Sequence, residues 1–142
     1  MTWLTWPVAT HWPVSQEFGE IDHVLYSEYN GRHNGVDVAC NTGTPVVAAA
    51  DGEIVHLGSD PARPARGFHM ILLHRERGCE THYLHMSTLL GSVGDMVRAG
   101  QEIGASGATG GVAAHLHWGL RDLAQLASET KGFVDPVPYV QL

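Results

Sequence analysis

The sequence predicts a mainly β fold: a single domain built on a central antiparallel sheet, with one short helix near the C-terminus. Three observations support this fold class. The length of 142 residues suits one hydrophobic core. Seventeen glycines and seven prolines indicate many turns, which favours short strands over long helices. Between those turns, apolar residues either alternate with polar ones or form short continuous runs, as they do in strands.

Residues 1–13 are predicted to form an extended arm, and residues 14–142 the domain itself. Trp3, Trp6 and Trp12 lie among prolines in the arm. We interpret them as aromatic side chains that pack onto the core; an aromatic platform for a ligand is the alternative. The arm lacks the basic and apolar regions of a signal peptide, so the protein either is not exported by that route or has lost a leader.

Each predicted strand is an apolar or alternating run bounded by turn residues. In chain order, the main runs are residues 35–39, 44–50, 52–57, 68–74, 79–86 and 115–120. The second run begins at the turn signal Gly43-Thr44-Pro45, and the third alternates as a half-buried strand does. The fourth (FHMILLH) has the composition of a well-buried strand, and the charged turn 75–78 brings the fifth back antiparallel to it.

The remaining elements are shorter. Turns at residues 92–95 and 98–101 mark another short pair of strands, and the glycine-rich loop 107–111 precedes the last strand. Residues 121–131 have an amphipathic pattern and are predicted as the one helix.

Charge and cysteine content exclude some classes of function. The formal net charge is −7, and the eight Lys and Arg residues form no cluster, so we expect no nucleic-acid partner. No apolar run is long enough to span a membrane. Cys40 and Cys79 lack the spacing of a zinc knuckle; we interpret them as free thiols, with a disulfide or a metal role as the alternatives.

Ten histidines are unusual for this length, and three local patterns among them are compatible with a metal site. His33 and Asp37 form a His-x-x-x-Asp, which needs a bend in between, because four extended residues cover about 13 Å. Asn34-Gly35 is predicted to supply that bend, since both residues tolerate positive φ. A second pair, His56 and Asp60, has a similar bend signal at Gly58-Ser59, so the preference for the first pair is modest.

The other two patterns lie in predicted strands. His115 and His117 are two apart, so their rings share one face; a polar surface pair is the alternative to a site. His82 and His85 are three apart and face opposite sides. Leu84 and Met86 share the face of His82, which resembles a core face. We therefore assign His85 to the cleft and His82 to packing or an edge.

Two imidazoles and one carboxylate would suit a single Zn²⁺ ion. Such a ligand set leaves a fourth tetrahedral position open, as in catalytic rather than structural zinc sites. Unligated histidines beside it would exchange protons and stabilise an oxyanion.

The order of these motifs resembles the M23 family of zinc metallopeptidases, the lysostaphin-like or LytM-type endopeptidases. The motifs that carry the resemblance are residues 31–37 (GRHNGVD), 43–46 (GTPV), 83–87 (YLHMS), 106–110 (SGATG) and 115–117 (HLH). Each is weak by itself, but their common order and spacing are specific. The resemblance covers roughly residues 14–139.

The resemblance implies a LytM-type fold with a groove that holds one Zn²⁺. His33, Asp37 and His117 would be the metal ligands, and His85 and His115 the catalytic histidines. It further implies an endopeptidase that hydrolyses the peptide part of bacterial peptidoglycan, or another peptide, as a monomer. The expected location is extracytoplasmic: the periplasm, the cell wall or the medium.

The chain departs from the family pattern in the groove. Phe18-Gly19 is followed by Glu20 and Ile21, so an arginine that is usual there is missing, and Met86 replaces a leucine. Two other functions are kept as alternatives. One is a binding or regulatory module, since some members of the family have lost ligands and activate other enzymes; the other is a zinc hydrolase of a non-peptide amide.

Overall fold

A computed structural model describes residues 1–141, and its strands belong to one antiparallel sheet. The strands are β1 (Val14–Gln16), β2 (Val36–Val38), β3 (Pro45–Val47), β4 (Gly52–Gly58), β5 (Phe68–His74), β6 (Cys79–Leu89), β7 (Met96–Val97), β8 (Glu102–Ser106), β9 (Leu116–Asp122) and β10 (Phe133–Val134). The spatial order is β1-β2-β9-β6-β5-β4-β7, with β10 beside β9 and with β8 between β6 and β3. The predicted fold class is confirmed.

The long central strands come from the most apolar runs of the sequence. Strand β6 pairs with β5 along one edge and with β9 along the other, so it lies in the middle of the sheet. Trp118 of β9 and Tyr83 of β6 are cross-strand neighbours and are fully buried. Aromatic and β-branched pairs on one sheet face contribute much of the stability of such a sheet. Val36 of β2 continues this buried face opposite Trp118.

Two sequence predictions about secondary structure are wrong in detail. The short strands β7 and β8 exist, but β7 pairs with β4 and β8 pairs with β3 and β6, not with each other. Residues 121–131 are not an α-helix: β9 continues to Asp122, and a single 3₁₀ turn (Leu123–Gln125) follows.

The physical reason for the missing helix is the lack of a buried face. Side chains from residue 124 to residue 129 are exposed, including Leu126, so a short helix there would gain little from packing. Within residues 1–141, every helical segment is a 3₁₀ turn of three residues.

The N-terminal segment packs against the domain. Leu4 is fully buried and forms a parallel bridge with Val140. The ring of Trp6 lies edge-on to Trp118, with centroids 5.3 Å apart. Trp3 and Trp12 pack against the same core cluster, so the structure supports the packing interpretation of the arm. A domain boundary after residue 13 stays a prediction.

Two further features concern the cysteines and the length of the helices. Cys40 is buried, Cys79 is partly exposed, and both are free thiols. In the part of the chain that the structure describes, no helix has the length and apolar character needed to cross a membrane.

Candidate metal and catalytic site

His33, Asp37 and His117 meet where β2 lies beside β9. Asp37 and His117 are directly opposite each other in the β2–β9 ladder, so their side chains point to the same face of the sheet. His33 lies on the segment that leads into β2, four residues before Asp37. Residues distant in sequence therefore converge through strand pairing, as the sequence analysis expected.

The bend between His33 and Asp37 does not arise in the way predicted. Neither Asn34 nor Gly35 has a positive φ; the left-handed residues are Asn30 and Gly31, before the motif. Gly35 is needed for space instead. A Cβ there would lie 2.5 Å from the carbonyl oxygen of Trp118 and 2.7 Å from Nε2 of His117.

The three potential ligand atoms form a nearly equilateral triangle. Asp37 Oδ1 lies 2.9 Å from His117 Nδ1 and 3.3 Å from His33 Nε2, and the two nitrogens are 3.2 Å apart. A tetrahedral ion with bonds of about 2.0–2.1 Å needs ligand atoms about 3.3 Å apart. The triangle fits that requirement, and among residues 1–141 it is the one group of three or more His, Cys, Asp or Glu residues suited to holding a metal.

The site favours an ionised carboxylate at Asp37 and an unprotonated imidazole at His117. Burial would raise the pKa of Asp37, but interactions with the imidazoles of His117 and His33 outweigh it, and the pKa lies well below its usual range. Burial lowers the pKa of His117. A carboxylate and unprotonated imidazoles are the forms that bind a cation.

A backbone carbonyl orients His33. Its Nδ1 donates a hydrogen bond to the carbonyl oxygen of Glu17 at 3.0 Å, which turns Nε2 toward Asp37. The ring of Tyr26 packs on the other side, with centroids 4.9 Å apart. Partners that fix a ligand imidazole are a regular part of metal sites. The sequence analysis did not find these two, since a carbonyl partner leaves no signal in residue type.

His85 reaches the groove, but the face argument used to place it there is wrong. Tyr83 and Met86 are fully buried in the core, while Leu84 lines the groove. His85 has φ of +66° and lies at a β-bulge where the register between β5 and β6 shifts. The bulge turns His85 to the groove side, whereas strict alternation would have pointed it into the core.

His85 and His115 form a pair of imidazoles beside the triangle. Their ring centroids are 4.7 Å apart, and Nε2 of His115 lies 3.5 Å from Asp37 Oδ1. His85 donates from Nδ1 to the carbonyl oxygen of Thr109, and His115 donates from Nδ1 to that of Ala113, both at 2.8 Å. Each ring in its neutral form thus keeps Nε2 as an acceptor.

Burial is the main cause of the low basicity of His85. It lowers the pKa of this imidazole to about 4, against a smaller opposing effect of the hydrogen bond to Thr109. At neutral pH His85 is therefore unprotonated and able to accept a proton.

The five side chains share one groove of about 530 Å³. Its lining also includes residues 25–29, residues 62–66 and Val112. The groove is open to solvent, and a groove of this size suits a segment of peptide better than a bulky folded partner.

Four other histidines have partners outside the triangle. His56 stacks on His69 with centroids 4.3 Å apart, and the pair His56–Asp60 is outside the triangle. His74 bridges the carbonyl of Asp51 and the hydroxyl of Thr81. His82 is buried and donates to the carboxylate of Glu80.

Comparison with known proteins decides the family. The profile of peptidase family M23 matches residues 31–134, which include all five groove residues discussed above. The chain belongs to peptidase family M23. A curated relative, the peptidoglycan DD-endopeptidase ShyA of Vibrio cholerae, is 35% identical over 116 residues, covering 81% of this chain and 26% of the relative.

Solved structures of M23 peptidases share this fold. The catalytic domain of lysostaphin from Staphylococcus simulans superposes with a TM-score of 0.77 at 32% identity, covering 91% of this chain and 92% of that domain. A zinc-containing peptidase from Vibrio cholerae also has a TM-score of 0.77, at 26% identity, covering 96% of this chain and 39% of the other. The chain spans 26% to 42% of the length of the first three curated relatives.

Proposed function

We propose that this M23 chain is a zinc-dependent endopeptidase that hydrolyses peptide bonds of bacterial peptidoglycan. The observation that carries the proposal is the triangle of His33, Asp37 and His117 next to two further imidazoles in one open groove. The peptidoglycan endopeptidase among its relatives supports the substrate class. Peptidoglycan lies outside the cytoplasmic membrane, so the site of action would be extracytoplasmic.

In this proposal, His33 Nε2, Asp37 Oδ1 and His117 Nδ1 hold one Zn²⁺. When bound there, zinc supplies a Lewis acid that polarises a carbonyl and lowers the pKa of water. The carboxylate of Asp37 offsets part of the positive charge, and the carbonyl of Glu17 keeps His33 in the required orientation.

His85 and His115 would handle the protons of the hydrolysis. One Nε2 accepts a proton from the attacking water, and the same proton is returned to the nitrogen of the leaving amine as the C–N bond breaks. Protonated imidazole also stabilises negative charge on the carbonyl oxygen. Water adds directly to the peptide, so no covalent enzyme intermediate forms.

The first experiment is turbidity loss of purified cell walls with and without a chelator. Release of primary amines without new reducing sugar ends would identify peptide bonds as the target. Lysis that continues under chelation and in His117→Ala would exclude a metallopeptidase. A chain that holds zinc and binds walls without releasing amines would be the regulatory module.

The roles within the site are tested by alanine variants. His33→Ala and Asp37→Ala are expected to lose zinc, whereas His85→Ala and His115→Ala keep zinc and lose activity. His56→Ala, from the second His-x-x-x-Asp pair, is the matched control and should change neither the zinc content nor the activity. Equal metal loss in all four site variants would refute this division of roles.

A further inference from the structure

Arg66 is a half-buried cation on the wall of the groove that contains the metal triangle. It lies at the end of the 3₁₀ turn Pro64–Arg66, in the loop between β4 and β5. Its Nη2 donates a hydrogen bond at 3.3 Å to the hydroxyl of Tyr29, which also lines the groove. A guanidinium has five N–H donors, and this hydrogen bond uses one of them, so the others can bind a ligand.

The loop that carries Arg66 is held close to the catalytic region. Gly67 has φ of +62°, and a Cβ there would meet the backbone carbon and oxygen of Thr109 at 2.5 Å. Thr109 is the residue whose carbonyl orients His85. The loop thus packs directly on the segment that positions His85, and Arg66 has a fixed relation to the site.

Within the described part of the chain, Arg66 differs from two other cations, Arg63 and Lys131, in having no direct ion pair with a carboxylate. Arg63 pairs with Glu28, and Lys131 reaches the same carboxylate at 3.8 Å. Arg66, by contrast, has no carboxylate within 4.0 Å among residues 1–141. The charge of Arg66 contributes to lowering the pKa of the Glu80 carboxyl, but the two groups form no direct ion pair. A cation that lines an open groove without a direct ion pair, in a chain of net charge −7, offers a local site for an anion.

We propose that Arg66 is a specificity-determining residue, and that it pairs with a free carboxylate of the peptide substrate near the scissile bond. This inference rests on the proposed endopeptidase function. Arginine binds carboxylates in a planar, two-pronged geometry that lysine does not reproduce. The favoured substrate is therefore a peptide with an acidic residue beside the cleaved bond, and a plain glycine chain or an amidated peptide is disfavoured.

The test compares two synthetic stem-type peptides that differ at one position, a free carboxylate in one and its carboxamide in the other. Binding is measured by calorimetry in the presence of chelator, so that no turnover occurs, and hydrolysis is measured separately with zinc. We expect the wild type to bind the carboxylate peptide about 10-fold more tightly. Arg66→Gln should abolish the difference, and Arg66→Lys should restore part of it.

Arg98→Gln is the matched control. It makes the same change in net charge at an exposed position outside the groove, and it should keep the wild-type preference. Thermal unfolding of each variant shows whether the fold is kept. Equal binding of the two peptides by the wild type, or an equal loss in Arg98→Gln and Arg66→Gln, would overturn the proposal.

The two proposals fail in different ways. Preference in binding without hydrolysis of either peptide would retain the role of Arg66 in recognition and refute the endopeptidase function. Hydrolysis of both peptides at equal rates, with equal binding, would support the endopeptidase function and refute the role of Arg66.

Discussion

Replacing Gly35 by alanine tests what positions the three potential metal ligands His33, Asp37 and His117. The added Cβ would lie 2.5 Å from the carbonyl oxygen of Trp118 and 2.7 Å from Nε2 of His117. Ordinary contacts begin at 3.4 Å, so β9 must retreat by about 0.9 Å to clear the carbonyl oxygen, and the imidazole of His117 must move with the strand or rotate. The backbone oxygen belongs to the β2–β9 ladder, which gives it little freedom to move.

The expected magnitude has two parts. Overpacking of this kind costs about 1–3 kcal/mol, which for a domain of this size lowers the melting temperature by roughly 4–12 °C. Metal–ligand distances tolerate only about ±0.2 Å, so a shift of several tenths of an ångström in His117 should also weaken zinc binding, by about 10- to 100-fold.

The assay separates the two effects. Thermal unfolding in excess chelator reports the packing cost alone, and competition with a zinc chelator reports the affinity. Gly119→Ala is the matched control: it lies on the same strand, but its Cβ would meet the ring of Phe133 at 3.2 Å and does not approach His117. If Gly35→Ala and Gly119→Ala had equal effects on both quantities, the close contact would not be what positions His117.

Two further predictions concern Thr109, beside the site, and His82, which is buried outside it. Thr109→Val removes a hydroxyl that donates to the carbonyl of Met86, so the Thr109 carbonyl that orients His85 loses its support. We expect this variant to lower kcat with little change in KM, whereas Thr109→Ser should retain activity. A wild-type kcat in Thr109→Val would contradict the prediction. Burial lowers the pKa of His82 to about 4, so this residue stabilises the fold above pH 6.5, and about 3 kcal/mol is lost as the pH falls from 6.5 to 4. Urea unfolding in chelator across this range should show a shallower loss for His82→Gln, and identical slopes would show that His82 is not the group responsible.

Much of the fold was predictable because buried strands leave a direct signal. The run 68–74 becomes β5 with the predicted bounds, and the charged turn after it returns the chain as β6. The helix predicted at 121–131 failed because an amphipathic pattern shows which face would be apolar, but not whether any surface is present to cover it.

The sequence indicated which residues would meet in the candidate site, but less of how they are arranged. The structure brings together His33, Asp37, His85, His115 and His117, while their catalytic and ligand roles stay predictions. His85 was placed in the cleft by strict alternation along a strand, but the bulge reverses alternation at that point. A residue type does not reveal that a non-glycine residue will adopt positive φ, since the conformation depends on the strands around it.

Backbone atoms explain why side-chain patterns reveal only part of this site. The carbonyls of Glu17, Thr109 and Ala113 each accept a hydrogen bond from Nδ1 of a groove histidine, and any residue at those positions would offer the same acceptor. Such control depends on the path of the backbone, and glycines set that path: a Cβ at Gly35 or Gly107 would press on the strands that carry His117 and His85. The histidines and the aspartate of the site can therefore be recognised in the sequence, whereas its geometry depends on backbone carbonyls and on glycines that leave room for the neighbouring strands.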